Sequence, residues 1–278
     1  MRYGIDVINF GAYGDPAVFQ RVARAAETAG WHGMFCWDHV ASAWDGPPPT
    51  GDPWVLLTAA ACVTEHLRLG TIVTPVPRRR PHILAGQVAT LDRLSGGRVV
   101  LGVGLGGVPD EFERFGQDSS VTVRAQQLDE GLDVMAALWT GDVVSFHGRH
   151  HRAHQVQNPL VPVQRPRVPV WVGGESPGAL RRAARWDGWT MSLFADETGR
   201  IGTPPGTIAD RLATIESHRT ATGPFDVVVG AYSDPTPAGA RMVAEYAEAG
   251  ATWWLEELNG FRGSLDDMLA RVDAGPPI

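Results

Sequence analysis

The 278-residue sequence contains no lysine, and all 24 of its lysine-or-arginine positions are arginines. A chain without lysine forms no side-chain Schiff base and has no lysine acid, so those mechanisms are excluded whatever the fold. The sequence also lacks an apolar run of about 18 residues, the length needed to cross a membrane. Its formal net charge of −7 argues against a nucleic-acid surface.

Cysteine is scarce. Cys36 and Cys62 each lie in an apolar segment, which favours two small buried side chains over a disulfide or a redox pair. The N-terminal segment enters a predicted strand at once and has no long apolar core followed by a small-residue cleavage site. We therefore expect a cytoplasmic protein.

Short apolar runs alternate with segments of helical periodicity along the chain. Eight such units in one domain of this length favour a closed (β/α)8 TIM barrel over an open doubly wound sheet. The first strand is also not followed by the G-x-G-x-x-G spacing of a Rossmann fold. The predicted strands are 3–10, 33–37, 67–73, 98–103, 168–172, 189–193, 225–231 and 251–255.

The alternation breaks between the fourth and fifth strands. Residues from about 141 to 166 are polar and contain prolines, so they predict a short insertion with possible strands at 143–147 and 156–163. The insertion is too short for its own core, and residues 1–278 are predicted to form a single domain. The insertion also contains four histidines, at positions 147, 150, 151 and 154, a residue type that commonly binds metals. No carboxylate pattern or H-E-x-x-H spacing accompanies them, so we predict no metal site.

Candidate site residues follow the predicted strands, because barrel active sites lie at the carboxyl ends of the strands. Asp38 and His39 follow the second strand and are the catalytic candidates. Trp37 and Trp44 beside them predict a flat apolar slot for a planar ligand. No G-x-S-x-G motif is present, which argues against serine hydrolysis.

Glycine-rich segments follow the fourth and fifth strands. Gly104–Gly107 and Gly173–Gly174 would let main-chain amides approach a phosphate, and Ser176 adds a hydroxyl at the start of a helix. Three consecutive arginines, Arg78 to Arg80, follow the third strand. They fit either a contact with an acidic ligand or a solvated surface run.

Four segments together resemble the luciferase-like monooxygenase superfamily over residues 3 to about 255. They are RLGTIVTPVPRRRPHILAGQVATLDRLSGGRVVLGVG from residue 68, WDH from 37, LDEGLDVMAALWTGD from 128 and VPVWVGGESPGALRRAARWDGW from 168. The resemblance implies a (β/α)8 barrel, usually a homodimer, that binds FMN or the deazaflavin coenzyme F420 at the carboxyl ends of its strands.

The resemblance also implies roles for individual residues. His39 matches a histidine near the reactive edge of the cofactor ring, and Asp38 matches its neighbour. Ile72 and Val73 match a strand end where many members have a bulge with a non-proline cis peptide, and Thr74 follows as a polar contact. The loops that would hold the ribityl chain and phosphate comprise Gly104, Leu105, Gly106, Gly107, Gly173, Gly174, Glu175 and Ser176. The predicted substrate pocket comprises Trp37, Trp44 and Phe194.

Two departures from the family pattern bear on the activity and the cofactor. Gly107 stands where the sugar-phosphate dehydrogenases have an acidic residue, and their substrate-binding lysines are absent, so that activity is not expected. Leu105–Gly107 also lacks the arginine common in luciferase-type FMN members, which favours F420, with Arg78 to Arg80 facing its acidic tail.

The leading hypothesis is an F420-dependent oxidoreductase in which His39 moves the proton that accompanies hydride transfer. One alternative is a two-component monooxygenase that uses oxygen and takes reduced FMN from a separate reductase. A non-catalytic flavin-binding protein is the alternative of another class. The sequence leaves the small-molecule substrate and the direction of the reaction open.

Overall fold

The computed structural model describes residues 1–40, 48–196 and 198–278. In this part of the chain ten strands are present. They are β1 (Arg2–Val7), β2 (Gly33–Cys36), β3 (Arg68–Pro75), β4 (Val99–Gly104), β5 (Val144–His147), β6 (Arg152–Val156), β7 (Val170–Gly173), β8 (Gly188–Ser192), β9 (Asp226–Ala231) and β10 (Trp253–Leu258).

Eight of these strands form a closed parallel barrel in the order β1-β10-β9-β8-β7-β4-β3-β2. Closure comes from β1, which pairs in parallel with β10 on one side and with β2 on the other. The predicted (β/α)8 barrel is therefore confirmed, and the open sheet is wrong. Each predicted barrel strand overlaps an observed one, because buried parallel strands read as continuous apolar runs.

Helices follow the barrel strands, and proline begins six of those in the described ranges. Proline suits this position because its fixed φ matches the helix and its missing N–H would have no partner there. Asp15 and Asp52 each precede such a proline as the N-cap residue, and the side chain of each accepts two main-chain N–H bonds. The helices are α1 (Pro16–Thr28), α2 (Pro53–Ala61), α3 (Pro81–Leu94), α4 (Asp110–Glu113), α5 (Val121–Leu138), α6 (Pro177–Ala183), α7 (Pro205–Glu216), α8 (Pro237–Glu248) and α9 (Leu265–Asp273).

The insertion between the fourth and fifth barrel strands is an antiparallel hairpin of β5 and β6. The prediction of a strand at 143–147 is confirmed, but that at 156–163 is wrong, since β6 ends at Val156. Pro159 and Pro162 explain the difference, because proline has no N–H to donate to a ladder. Across the described residues, no group of three or more His, Cys, Asp or Glu side chains is placed to hold a metal.

The amino-terminal half of the barrel is filled by aromatic and aliphatic side chains. Phe35 and Trp171 lie 5.1 Å apart between ring centroids, and Trp171 and Trp253 lie 5.5 Å apart. Ile72 packs on this cluster, which also contains Leu255. A filled lower half leaves space for a ligand only at the carboxyl ends of the strands.

Two further expectations concern the cysteines and a membrane-spanning segment. Cys36 is buried as predicted, but Cys62 is exposed, because it caps the outer end of α2. No helix within 1–40, 48–196 and 198–278 has both the length and the apolar character that a membrane crossing requires.

Candidate active site

A cavity of about 710 Å³ lies at the carboxyl ends of the barrel strands. Ile72 and Leu255, which belong to the aromatic cluster below, form part of its wall. Trp44 lies outside the described residues. The other predicted site residues in the wall are Trp37, Val73, Gly104, Leu105, Gly106, Gly107, Gly173, Gly174, Glu175, Ser176 and Phe194. The cavity thus brings together residues from most of the loops that the sequence singled out.

Val73 explains two of the glycines in this wall. The Ile72–Val73 peptide is cis, as the resemblance implied, and the pairing of β3 with β4 shifts between Thr71 and Thr74. The Val73 methyl groups fill the space that side chains at Gly104 and Gly173 would need, since Cβ atoms built there would come within 2.6 and 3.0 Å of them. A Cβ at Gly107 would meet nothing within 4 Å. Packing therefore requires glycine at position 104 and leaves only a tight fit for a side chain at 173, whereas Gly107 borders open space.

Replacing Gly104 with alanine should destabilise the protein by about 1–3 kcal/mol, because the new Cβ would displace a Val73 methyl group. Denaturant unfolding measures the loss. Gly107→Ala is the matched control and should leave the unfolding free energy nearly unchanged, since its Cβ has room. Equal losses in the two variants would contradict the assigned packing role of Gly104.

Asp38 lies in a buried ion-pair cluster. Its carboxylate accepts hydrogen bonds from Arg78 Nη2 at 2.7 Å and from Arg79 Nε and Nη2 at 3.0 and 2.8 Å. Thr74 Oγ1 donates to the same carboxylate at 2.8 Å, and Arg78 Nη1 donates to Glu111 Oε2 at 2.6 Å. The Asp38 side chain is 0% exposed and that of Arg78 5%. Both charges are neutralised inside the protein.

This cluster places three residues with predicted site roles away from the wall of the 710 Å³ cavity. Asp38, Thr74 and Arg78 are absent from the described cavity wall. The predicted catalytic contact of Asp38 and the predicted cofactor contacts of Thr74 and Arg78 do not fit this placement, because their polar groups are turned toward one another. Arg80 lies instead in a separate cavity of about 440 Å³, beside the hairpin.

Asp38→Asn should lower the unfolding free energy by about 3 kcal/mol, because it leaves two buried guanidinium groups without their carboxylate. Asp133→Asn is the control, since Asp133 pairs with Arg185 at the surface with 45% of its side chain exposed. That change should lower the unfolding free energy by less than about 1 kcal/mol. Urea titration of both variants measures the difference, and comparable losses would argue against a buried role for Asp38.

His39 is oriented by a carboxylate that the sequence did not reveal. Its Nδ1 lies 3.0 Å from Glu111 Oε1, and its main-chain N–H donates to Asn9 Oδ1 at 3.1 Å. Burial raises the pKa of Glu111, but the hydrogen bond from His39 and the charge of Arg78 outweigh it, so this pKa lies below its ordinary value. With Nδ1 engaged, Nε2 is the nitrogen left for proton exchange.

The His39 ring lies beside the cavity rather than in its described wall. Its centroid is 5.6 Å from that of Trp37, which does line the cavity, and 5.9 Å from that of Phe10. The His39 side chain is 26% exposed. The structure therefore brings the predicted catalytic histidine to the mouth of the site without placing it in the described wall.

Two further carboxyl groups in the wall were missed by sequence reasoning. Asp6 on β1 is the register partner of Glu257 on β10, and both line the cavity. Trp37 Nε1 donates to Asp6 Oδ2 at 2.9 Å, and Ser192 Oγ donates to Glu257 Oε1 at 3.2 Å. Asp6 Oδ1 is buried and has no hydrogen-bond partner in the described ranges.

Burial changes the protonation of both groups. Desolvation, followed by the charge of Glu257, raises the pKa of Asp6 well above its ordinary value. Desolvation is also the main cause that raises the pKa of Glu257 to about 7. The neighbouring Glu256 points to the opposite face, as strand alternation requires, and bonds with Arg262 and Arg271 there. Two adjacent acids inside the apolar run WWLEEL were the available signal, because one of them had to face inward.

The raised pKa of Glu257 predicts a pH dependence of stability. An unfolded glutamate loses its proton near 4.5, whereas folded Glu257 keeps its proton until about 7. Between these values the folded state binds more protons, so the unfolding free energy falls as the pH rises. Glu257→Gln should reduce that fall, with the remainder due to the raised pKa of Asp6, and Glu175→Gln, at an exposed position of the same cavity, should retain it. Urea unfolding at pH 5, 6, 7 and 8 measures the slopes, and identical slopes for wild type and Glu257→Gln would contradict the assignment.

The cavity wall carries little positive charge that is available to a ligand. Arg182 is the only basic residue among the described wall residues. Its Nε and Nη2 donate to Asp129 at 2.7 and 2.9 Å, so its charge is already paired. Asp6, Glu175 and Glu257 are the wall's acidic residues. The cavity is therefore suited to ligands with little negative charge near its floor.

Comparison with known proteins now places the chain in a family. Residues 8–201 match the family model described as luciferase-like monooxygenase. The chain belongs to the luciferase-like monooxygenase family. Uncharacterized proteins from Mycobacterium tuberculosis (strain H37Rv) and Mycobacterium bovis are each 31% identical over 241 residues, which cover 81% of this chain and 80% of each relative.

Solved structures share the fold of this luciferase-like protein. The coenzyme F420-dependent tetrahydromethanopterin reductase from Methanopyrus kandleri aligns with a TM-score of 0.78 at 17% identity, over 98% of this chain and 96% of that one. An F420-dependent secondary alcohol dehydrogenase aligns with a TM-score of 0.82 at 18% identity, over 99% of this chain and 98% of that one. The FMN-bound oxygenating constituent of 3,6-diketocamphane monooxygenase from Pseudomonas putida aligns with a TM-score of 0.66 at 17% identity. This alignment covers 88% of this chain and 71% of that one. Identities this low show a common fold alone.

Proposed function

We propose that this luciferase-like protein is an F420-dependent oxidoreductase that transfers hydride to or from a small organic substrate. The observation that carries the proposal is the charge balance of the cavity. The one arginine in its described wall is paired with Asp129, and three acidic residues share that wall. At the phosphate itself, the phosphomonoester of FMN carries close to two negative charges at neutral pH, whereas the phosphodiester of F420 carries one, and the acidic tail of F420 would have to lie outside this wall. A wall without a free cation favours the cofactor with the smaller phosphate charge.

The glycine-lined side of the cavity fits a cofactor of this shape. Around the barrel, β4 and β7 carry the loops Gly104–Gly107 and Gly173–Ser176, and both loops line the cavity. Backbone without side chains lets a ribityl chain approach main-chain amides closely. The open space beside Gly107 leaves room for such a chain. A volume of about 710 Å³ also falls in the range of small-molecule pockets.

Structural neighbours of both kinds share the fold, and the monooxygenase RslO1 from Streptomyces bottropensis aligns with 99% of this chain. The two F420-dependent enzymes align with nearly all of this chain, whereas the FMN-bound monooxygenase aligns with 88% of it. Since these identities are below 20%, the alignments bear on architecture and the charge argument bears on the cofactor.

Bound F420 would supply the two-electron hydride chemistry at its deazaflavin ring. The chain's own residues position and shield it. The two glycine loops would hold the cofactor's chain, and Val73, Trp37 and Phe194, which line the same cavity, would contact the ring and exclude water. His39, held by Glu111 at Nδ1, lies beside the cavity, and the resemblance implies that it is near the reactive edge of the ring.

Parallel titrations with F420 and FMN test the cofactor assignment. F420 should bind at least tenfold more tightly than FMN, which corresponds to about 1.4 kcal/mol. Absorbance difference spectra and quenching of cofactor fluorescence measure both dissociation constants. Tighter binding of FMN would overturn the proposal.

A charge-gain variant makes the test independent of the absolute affinities. Gly107→Arg adds a cation at a position with room for a side chain, and Gly107→Gln adds similar bulk without charge. The arginine variant should bind FMN about tenfold more tightly than the glutamine variant, with a smaller gain for F420, because a charge-assisted hydrogen bond favours the dianion. Equal gains for both cofactors would argue against a charge-based preference.

An FMN-dependent monooxygenase is the second candidate, supported by the FMN-bound monooxygenase of the same fold. It predicts the reverse order of affinities and oxygen consumption when reduced FMN is added. A homodimer and a separate reductase remain predictions from the resemblance.

A further inference from the structure

We propose that Asp6 and Glu257 are the proton-exchanging group of this site. The pair holds one proton and passes it to or from an O–H or N–H on the carbon that gives or receives hydride. This inference rests on the proposed function, and it adds to it the acid–base residues and the substrate class.

The geometry places both carboxyl groups together at the cavity. The two residues are register partners on adjacent parallel strands, and both are nearly fully buried, with 3% of Asp6 and 5% of Glu257 exposed. Asp6 Oδ2 is held by the Trp37 indole, which fixes the orientation of the carboxyl group. Asp6 Oδ1 is left without a partner in the described part of the chain. A buried carboxyl oxygen in a cavity wall is an expected contact for a polar ligand atom.

No described cation is bonded to either group. Arg262, a nearby arginine, bonds to Glu256 on the outer face of β10. Desolvation and mutual repulsion act against ionisation of both carboxyl groups, and the charge of Arg262, which lowers the pKa of Glu257, is the smaller effect, so one proton is retained between them at neutral pH. The pair then offers a donor and an acceptor at the same place, which is what reversible proton exchange needs.

The barrel sets this pair opposite the glycine loops. In the ring of eight strands, β1 lies four strands from β7, and β10 lies four strands from β4. A cofactor held along the β4 and β7 loops would therefore turn one face toward Asp6 and Glu257. A substrate between them would have hydride exchange on one side and proton exchange on the other. His39 lies outside the described wall, so the pair is better placed for this step.

The step balances with F420 as the redox partner. During substrate oxidation, the C–H bond breaks and its electron pair leaves with the hydrogen as hydride to the oxidised deazaflavin. The O–H or N–H proton goes to the ionised carboxylate of the pair, and a C=O or C=N bond forms. Reduction runs the same transfers in reverse, with the pair returning the proton.

The same charges select the substrate class. An alcohol or amine, or the matching carbonyl or imine, can hydrogen-bond to a singly protonated carboxyl pair. A carboxylate or phosphate next to the reacting carbon would face Asp6 and Glu257 with no free arginine to offset the repulsion. We therefore infer a substrate that is neutral or cationic at its reacting end.

Carboxyl-selective NMR tests the pair without relying on turnover. Spectra of protein labelled with ¹³C at Asp and Glu carboxyl carbons should show one proton retained by the pair at pH 7, with and without F420. Glu257→Gln should lower the titration midpoint of Asp6, because it removes the neighbouring charge that raises the pKa of Asp6. Glu175→Gln is the control and should leave that midpoint unchanged. Full ionisation of both carboxyl groups at pH 5 would overturn the proposal.

Matched small molecules test the substrate class on the F420-loaded protein. The set is cyclohexanol, cyclohexylamine and cyclohexanecarboxylate, with benzyl alcohol, benzylamine and benzoate. At least one alcohol or amine should shift the Asp6 or Glu257 resonance, the carboxylates should not, and Asp6→Asn should weaken the effect at least tenfold. A shift produced by the carboxylates alone, or by no compound, would overturn the inference.

The affinity for F420 separates failure of this inference from failure of the proposed function. Asp6→Asn and Glu257→Gln should bind F420 within about threefold of wild type, since the cofactor loops lie on the other side of the barrel. If F420 binds but the carboxyl groups are ionised at pH 5, only the pair assignment fails. If the pair retains its proton but wild type does not bind F420, the cofactor assignment fails.

Discussion

The parallel pairing of β1 with β10 is the interaction on which the rest of the structure depends. It closes the barrel, and its register decides which side chains of the last strand face the cavity. A slip by one residue would turn Glu256 inward and away from Arg262 and Arg271, and would turn Glu257 out of the cavity. The buried ion pairs outside the barrel and the carboxyl pair inside it therefore specify the same register. Fold closure and site chemistry are set by one alignment of two strands.

A second constraint comes from the loop that follows β3. Two of its consecutive arginines, Arg78 and Arg79, are used inside the protein to hold Asp38 and, through Arg78, Glu111. Glu111 in turn holds His39, so the orientation of the imidazole depends on this network. A buried network of this kind restrains the loops at the barrel mouth, because opening it would leave several charges unpaired. Two of the three arginines in the run at 78–80 are thus bonded to carboxylates that lie beside the cavity.

Local patterns predicted what depends on local structure. The aspartate–proline pairs at 15–16 and 52–53 mark helix starts, and the apolar runs mark barrel strands, because each signal acts over a few residues. The glycines at 104–107 and 173–174 were placed at one cavity by the rule that parallel strands end on the same face. Glu111, Asp6 and Glu257 were missed, because their roles depend on contacts between distant segments. The buried ion pairs of Arg78 were missed for the same reason, because its partners Asp38 and Glu111 are distant from it in the sequence.

The cofactor, the carboxyl proton and the substrate charge are coupled through one electrostatic field. An anion bound along the glycine loops makes ionisation of Asp6 and Glu257 less favourable, so cofactor binding strengthens retention of their shared proton. A cationic substrate acts in the opposite direction and favours release of that proton. The phosphate with the smaller charge would disturb the pair less, which connects the proposed preference for F420 to the proposed acid–base group across the barrel. The pairing of Arg182 with Asp129 fits this proposal, because a free guanidinium in the wall would favour ionisation of the pair and weaken its hold on the proton.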